Sequence, residues 1–281
     1  MERNIRYVWS NNLEEEFDLI MKIRHSHHYV ALDTEFQRVI VDCPRNANED
    51  TRYSHLELNI ANRQFTQIGL CFFDAYGNLP YSGSAWQFTF KGFNSRRYPS
   101  EIKEAIDPKR FETFLKKMIS GCELHWVTFH GLYDFGYMTQ ILTNSTLPDT
   151  LNEFLEVMAV TFPRVYDIKY MATFYKELNN GELGLELLAK ILKVERYGHS
   201  HQAGSDSLLT AEIFTKMKRV FQLERKLGFY EGYLYSITSR IPRCRYLVRP
   251  IRTCAYLVSL PSGLLCRQLP VSYSCRAPNI M

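Results

Sequence analysis

The sequence predicts an α/β protein, a mixed sheet whose first three strands run antiparallel and whose later strands are parallel, with helices on both faces. Strand-like runs at residues 29–33, 64–73 and 85–90 follow one another before any strand–helix alternation begins. From Leu124 onward, strand-like and helix-like segments alternate, the pattern of parallel crossover units. The clearest helical stretches carry a single apolar stripe, so each has one face to bury.

In chain order, Leu13, Phe17, Ile20, Met21 and Arg24 share one stripe of a first helix, with Asn12 as N-cap and Glu15 as its capping-box partner. Tyr29-Val30-Ala31-Leu32-Asp33 is a short apolar run that ends in an acid and reads as a buried strand. Residues 37–63 are polar and irregular and read as a long connection. Gln64 to Phe73 is the second strand, residues 74–78 with Gly77 form a turn, and Ala85 to Phe90 alternates like a third strand. Asp107-Pro108 opens a helix with Phe111, Phe114, Leu115 and Met118 on its buried face, stopped near Gly121. Leu124 to Phe129 is a strand, Tyr133 to Thr143 a helix, and Pro148-Asp149 opens another that ends before Pro163. Val165 to Asp167 is a short strand, with Asp167 capping the helix that follows. Helices around 168–177 and 183–193, a loop at 198–204 and a final helix from about Ser205 to Phe221 complete the domain. Phe65, Phe72, Phe73, Trp86 and Trp126 lie on strands and read as core rather than as base-stacking platforms.

With 281 residues, 46% hydrophobic and 23% charged, the chain has ordinary globular composition, which argues against a disordered polymer or a coiled-coil rod. No uncharged apolar run approaches the roughly 18–20 residues that cross a bilayer, and the first residues are polar. The expectation is a soluble intracellular protein with no membrane partner. One domain is expected over residues 1–235, followed by a basic tail, 236–281, that is expected to be poorly ordered. The tail carries seven arginines beyond Ser239 and no lysine or acid, so the net charge of +4 conceals a net −3 over residues 1–239. The composition of the tail also admits a nucleic-acid-binding arm. Seven cysteines without paired spacing predict reduced thiols, not a disulfide framework or a zinc site.

Three short motifs carry chemistry. In Asp33-Thr34-Glu35 the acids are two apart at the end of a strand, so both carboxylates project from one face and repel unless a cation or a proton lies between them. Hard divalent cations favour such an oxygen cage, although Asp-x-Glu alone also describes a solvated strand end. Asp134 falls in the first turn of a helix just past a strand's C-terminal end, where α/β sites collect and where an acid also suits the helix dipole. His201 and Asp206 precede and enter the last helix. Were both helical, about 140° would separate them, so His201 belongs on the loop and Asp206 in the first turn. That pair also reads as an exposed histidine beside a first-turn acid. His130, one residue past its strand, reads as locally hydrogen-bonded.

Taken together, Asp-x-Glu, Asp and His-x4-Asp in this order resemble the DEDD exonuclease superfamily in its histidine subclass. The flanks narrow the resemblance: Tyr29 to Phe36, Gln67-Ile68-Gly69-Leu70, Trp86-Gln87-Phe88, Tyr133-Asp134-Phe135-Gly136-Tyr137, Tyr166 to Tyr170 and His201 to Thr210 look like the Caf/Pop-type poly(A) deadenylases over about residues 5–235. That resemblance implies an RNase H-like fold and a 3′–5′ exoribonuclease that shortens mRNA poly(A) tails and releases 5′-AMP. It implies two divalent ions, Mg²⁺ or Mn²⁺, one held by Asp33 and Glu35, the other by Asp33 with Asp134 and Asp206, and His201 as the base. It further implies a poly(A) RNA 3′ end as substrate, a scaffold subunit of the CCR–NOT complex and a second deadenylase subunit as partners, and residence in cytoplasm and nucleus. Two positions depart from the family: Gln37-Arg38 stands where Pro-Gly is usual, and His130-Gly131-Leu132-Tyr133-Asp134 where His-Ser-Gly-Tyr-Asp is usual. The second departure keeps alive a catalytically weak scaffold. A DNA-directed exonuclease is the other alternative.

Overall fold

The computed structural model describes residues 3–81, 85–91 and 104–243. Its sheet has six strands: β1 (Ile5–Val8), β2 (Tyr29–Phe36), β3 (Phe65–Phe73), β4 (Ala85–Thr89), β5 (His125–Thr128) and β6 (Arg164–Asp167). They lie in the order β1-β4-β3-β2-β5-β6. β2, β3 and β4 form the expected antiparallel meander, and β5 and β6 extend it in parallel from β2. β1 is an addition to the expectation. It pairs in parallel with β4, Ile5 opposite Ala85, some eighty residues along the chain.

The helices are α1 (Leu13–Ile23), α2 (Glu49–Asn62), α3 (Pro108–Ile119), α4 (Leu132–Thr143), α5 (Leu151–Thr161), α6 (Ile168–Ala172), α7 (Leu185–Leu192), α8 (Ala203–Val220) and α9 (Leu227–Tyr230), with a 3₁₀ turn at Lys176–Gly181. They cover both faces. α1 to α5 bury one core against Val30, Leu32, Trp86 and Trp126, and α6 to α9 bury a second against Tyr29, Ala31, Phe73 and Val127. The strand period of two therefore sorts β2 residue by residue: Val30, Leu32 and Thr34 face α4, while Ala31, Asp33 and Glu35 face α8. Phe72, Phe73, Trp86 and Trp126 are buried core residues, as their strand positions predict, and Phe65 packs half-buried against the same core.

Two local expectations are corrected. Residues 37–63 are not all connection, because Glu49–Asn62 is helical, opened by an Asn48 side chain that accepts from Thr51 N. Asn12 precedes α1 but its Oδ1 accepts from Trp9 N at 2.8 Å, so it closes the preceding turn and makes no side-chain cap to the helix. Other boundaries shift by a residue or two, with α4 beginning at Leu132 and α8 at Ala203, while α6 ends at Ala172, five residues short of the expected 168–177, and a 3₁₀ turn follows at Lys176–Gly181. Asp107 and Asp167 cap as expected, accepting from Lys109 N and from Lys169 N. Residues 236–243 lie against the body, where Glu49 accepts from Thr238 N and Ser239 N at 2.9 Å each. The rest of the arginine-rich tail, 244–281, lies outside the described residues. Among the described residues, no helix is long and apolar enough to cross a membrane.

Candidate active site

The site lies at the C-terminal ends of the parallel neighbours β2 and β5, the rim where α/β sheets place their reactive groups. Glu35 on β2, His201 on the loop before α8 and Asp206 in the first turn of α8 bring one ligand atom each within 4.8 Å of one another. Asp33 projects from the same face of β2, and its Oδ2 is buried without a hydrogen-bond partner. A register shift between Glu35 and Phe36 bends the strand just past the two acids.

Asp134 is held differently. It sits in the first turn of α4, where its Oδ1 accepts from Thr34 N at 2.9 Å and Thr34 Oγ1 at 2.6 Å, and its Oδ2 from Thr128 Oγ1 at 2.9 Å. Thr34 and Thr128 both point to the α4 face, so the two strands aim one carboxylate between them. Asp206 thus groups with Glu35 and His201, and Asp134 stands apart, which differs from the ligand pairing the family resemblance implies for the second ion.

The approach of α8 explains three family motifs physically. A Cβ on Gly69 would lie 1.8 Å from the Ala203 carbonyl oxygen, so β3 needs glycine where the helix lands. The Gln67 and Gln87 side chains then accept from Ala203 N and Gly204 N at 3.3 and 3.1 Å, satisfying two orphan donors of the α8 N-terminus. His201 reaches φ +59°, a region that costs a non-glycine residue about 1–2 kcal/mol, and its N–H donates to Asp206 Oδ2 at 3.1 Å. The histidine is on the loop with its side chain exposed, as the spacing predicts.

Arg196 was not legible from the motifs. It pairs with Asp206 Oδ1, donates to Ser205 Oγ at 2.9 Å, and through Nε to Glu186 at 2.8 Å. Its charge reaches the carboxylate cluster through Asp206 and opposes the rise of the Asp33 pKa. If Arg196 serves as that counter-charge, Arg196→Met lowers the Tm of protein in EDTA by several degrees and lowers it less in Mn²⁺, which a paired thermal-melt experiment reads directly.

Burial, with Asp134, Asp206 and Glu35 nearby, pushes the Asp33 carboxyl well above its ordinary range. Burial, then Asp206 and Asp134, push Glu35 up to about 7. Burial drives Asp134 up to about 7 against the hydrogen bonds from Thr34 and Thr128. A carboxyl with a raised folded-state pKa favours folding while protonated, and that contribution is lost as pH rises from its unfolded pKa, 3.8 or 4.5, through its folded one. In EDTA the Tm is therefore expected to fall from about pH 4.5 to 7.5, and Mn²⁺ is expected to raise it more at pH 8 than at pH 5. The chemistry fits divalent cations, since a buried, unpartnered carboxylate oxygen stands among acids that repel one another.

The departures from the family fall into place locally. A Cβ on Gly131 would lie 2.2 Å from Thr128 Oγ1, so glycine there makes room for the threonine that holds Asp134, while Leu132 joins the core. Gln37 and Arg38 are exposed beyond the end of β2. Every acid of the set is retained, and nothing in this arrangement favours a vestigial site. His130 lies outside the cluster, its Nε2 3.3 Å from Ser236 Oγ.

Fold and site together define a carboxylate-clustered hydrolase class on a mixed six-stranded sheet. The family model described as CAF1 family ribonuclease matches residues 8–107 and 91–214. The chain belongs to that family. It is 40% identical over 261 residues to "Probable CCR4-associated factor 1 homolog 7" of Arabidopsis thaliana, covering 83% of this chain and 93% of the relative. It is 37% identical over 235 residues to "Poly(A) ribonuclease pop2" of Schizosaccharomyces pombe, covering 76% of this chain and 69% of that protein. Among solved structures it resembles S. pombe Pop2p in its Mg²⁺- and Mn²⁺-bound form, with TM-score 0.73, 33% identity, and 83% and 99% coverage of the two chains. It also resembles a yeast structure of the NOT1 MIF4G domain co-crystallised with CAF1, with TM-score 0.69, 26% identity, and 82% and 96% coverage.

Proposed function

We propose that this chain is a metal-dependent 3′–5′ exoribonuclease that shortens mRNA poly(A) tails, releasing 5′-AMP, as a catalytic subunit of the CCR–NOT complex. The observation that carries the reading is the unpartnered, buried Asp33 Oδ2 beside Glu35, His201 and Asp206 in a CAF1-family ribonuclease chain. The poly(A) ribonuclease name of the S. pombe relative supports the substrate, and the NOT1 and CCR4 names support the assembly, including a second deadenylase subunit. Action in both cytoplasm and nucleus is part of the same proposal.

In this mechanism Asp33, Glu35, Asp134 and Asp206 are the residues that would hold two divalent ions, Mg²⁺ or Mn²⁺, with Glu35 and Asp206 grouped on one side and Asp134 on the other. Ions bound there supply positive charge for the phosphoryl oxygens and make water a better nucleophile near neutral pH. His201, exposed on a loop anchored by its own N–H to Asp206, takes the proton of the attacking water. Thr34 and Thr128 keep Asp134 from rotating away. Arg196 keeps Asp206 aimed.

The substrate assignment is tested by comparing four 3′ ends at equal concentration in Mg²⁺ or Mn²⁺: A-tailed RNA, U-tailed RNA, A-tailed DNA and A-tailed RNA with a 3′-phosphate. Chromatography of the products is expected to show 5′-AMP released fastest from the first. Equal or faster release from DNA would overturn the RNA assignment.

A further inference from the structure

Beside the site, the loop after β5, the α6 N-terminus, the segment 233–240 and the stretch leading into α2 meet at one rim. Buried Asp167 ties three of them together, accepting from His130 N at 2.9 Å, Gly131 N at 3.2 Å, Lys169 N at 2.9 Å and Tyr235 N at 2.9 Å. Glu49, at the start of α2, binds the fourth through Thr238 and Ser239. On this frame the Lys169 ammonium is half-buried between two rings, 5.6 Å from the Phe129 centroid and 4.7 Å from that of Tyr235. Among the described residues Lys169, Arg45 and Arg52 have no salt bridge to a carboxylate, whereas Arg6 pairs with Glu16, Arg164 with Glu123 and Glu231, and Arg196 with Glu186 and Asp206.

A half-buried ammonium without a carboxylate partner is costly unless an anion reaches it. The neighbouring charges leave that demand unmet. Burial lowers the Lys169 pKa, Asp167 and exposed Glu182 raise it, and Arg45 lowers it again. Asp167 is committed to backbone donors. Arg52 holds the Arg45 stretch through the Ala47 and Arg45 carbonyls, so both guanidinium groups sit near Tyr235, where they oppose the rise that burial and Glu182 give its phenol. His130 meets Tyr235 edge-on at 4.9 Å and is exposed. Cations held by rings and loops without a salt bridge to a carboxylate, on the rim where His130 leads four residues on to Asp134, match the spaced phosphates of a single strand.

The geometry points to a track for single-stranded RNA over Arg45, Arg52 and Lys169, which holds phosphates upstream of the 3′-terminal nucleotide. The inference rests on the exoribonuclease reading and adds where the body of the tail lies. A track upstream of the 3′-terminal nucleotide favours long substrates over a dinucleotide and leaves the chemical step alone.

The test uses the full chain, fluorescein-labelled A15 RNA in EDTA, and the dinucleotide ApA in Mg²⁺ or Mn²⁺. For the double variant Arg45→Gln/Lys169→Gln, anisotropy is expected to show A15 binding weakened about tenfold. The slope of log K against log salt should shrink by about 0.7 for each phosphate contact removed. ApA hydrolysis should match the parent protein. Arg45→Gln alone, at an exposed position, should give a smaller loss in the same direction and serves if the double variant folds poorly. Unchanged A15 affinity and salt slope would overturn the track, as would parallel losses on ApA and A15, or a parent protein that fails to bind A15. A parent that binds A15 and never shortens it would instead remove the exoribonuclease reading while the binding comparison still judges the track.

Discussion

Asp33→Asn is expected to cost about 10³-fold or more in exonuclease rate while raising the Tm of the protein in EDTA at pH 8. The two effects have one cause. Asp33 Oδ2 is buried, accepts no hydrogen bond and faces Asp134, Asp206 and Glu35, so in the absence of a cation its ionisation works against folding. Asparagine keeps the shape and removes the charge, which relieves that repulsion. The same removal would take away the buried, unpartnered oxygen that would hold a divalent ion, and losing several kcal/mol of transition-state stabilisation amounts to about three powers of ten. Parallel melts in EDTA and Mn²⁺ with a rate measurement check it. The Mn²⁺-induced rise in Tm should shrink as the baseline Tm climbs. A variant that loses both activity and baseline stability would show that Asp33 is a structural residue.

Gly69→Ala is expected to destroy activity by a different route. The new Cβ would lie 1.8 Å from the Ala203 carbonyl oxygen, 2.2 Å from its carbon and 2.8 Å from Gly204 N, all backbone atoms that no side-chain rotation can clear. The N-terminus of α8 must retreat by more than an ångström, and the Gln67 and Gln87 hydrogen bonds to Ala203 N and Gly204 N go with it. Overpacking of this kind costs about 1–3 kcal/mol or more. Asp206 and His201 ride on that turn, and a misplacement of about 1 Å costs on the order of 10²-fold in rate. Gly184→Ala is the control, because its Cβ meets nothing within 4 Å and its φ of −79° suits alanine. The expected pattern is a large loss of rate and several degrees of Tm for Gly69→Ala against near-parent behaviour for Gly184→Ala. A Gly69→Ala protein with full activity would refute the close contact between β3 and α8.

Much of this was legible in the sequence because it rests on local periodicity. The meander, the crossover order and the rim positions of Asp33, Glu35, Asp134 and Asp206 follow from strand and helix periods and from first-turn placement. α2 escaped because a polar residue interrupts its inner face. Asn59 is fully buried there, accepting from Ile40 N and Val41 N and donating to Tyr133 Oη, so it is a built-in bridge that reads in sequence as a loop residue. β1 escaped because four residues with two buried positions carry little signal until β4 pairs with them.

The residues that tune the site were the least visible. Thr34 sits between the two acids and faces away from them, yet its backbone and hydroxyl both reach Asp134. Thr128 and Arg196 reach their carboxylates only through the tertiary arrangement of β5 and the α7–α8 connection. Gln67 and Gln87 were visible as motif residues without a reason, and the buried orphan donors at the start of α8 supply it.

The most direct test of the central claim follows RNA labelled at its 5′ end and ending in twenty adenosines, incubated with the purified chain in Mg²⁺ or Mn²⁺, with EDTA and His201→Ala lanes alongside. A ladder that shortens one nucleotide at a time from the 3′ end, absent in EDTA and about 10²–10⁴-fold slower in His201→Ala, is the result the account predicts. Internal cuts, shortening that persists in EDTA, or full-length RNA under both metals would contradict it.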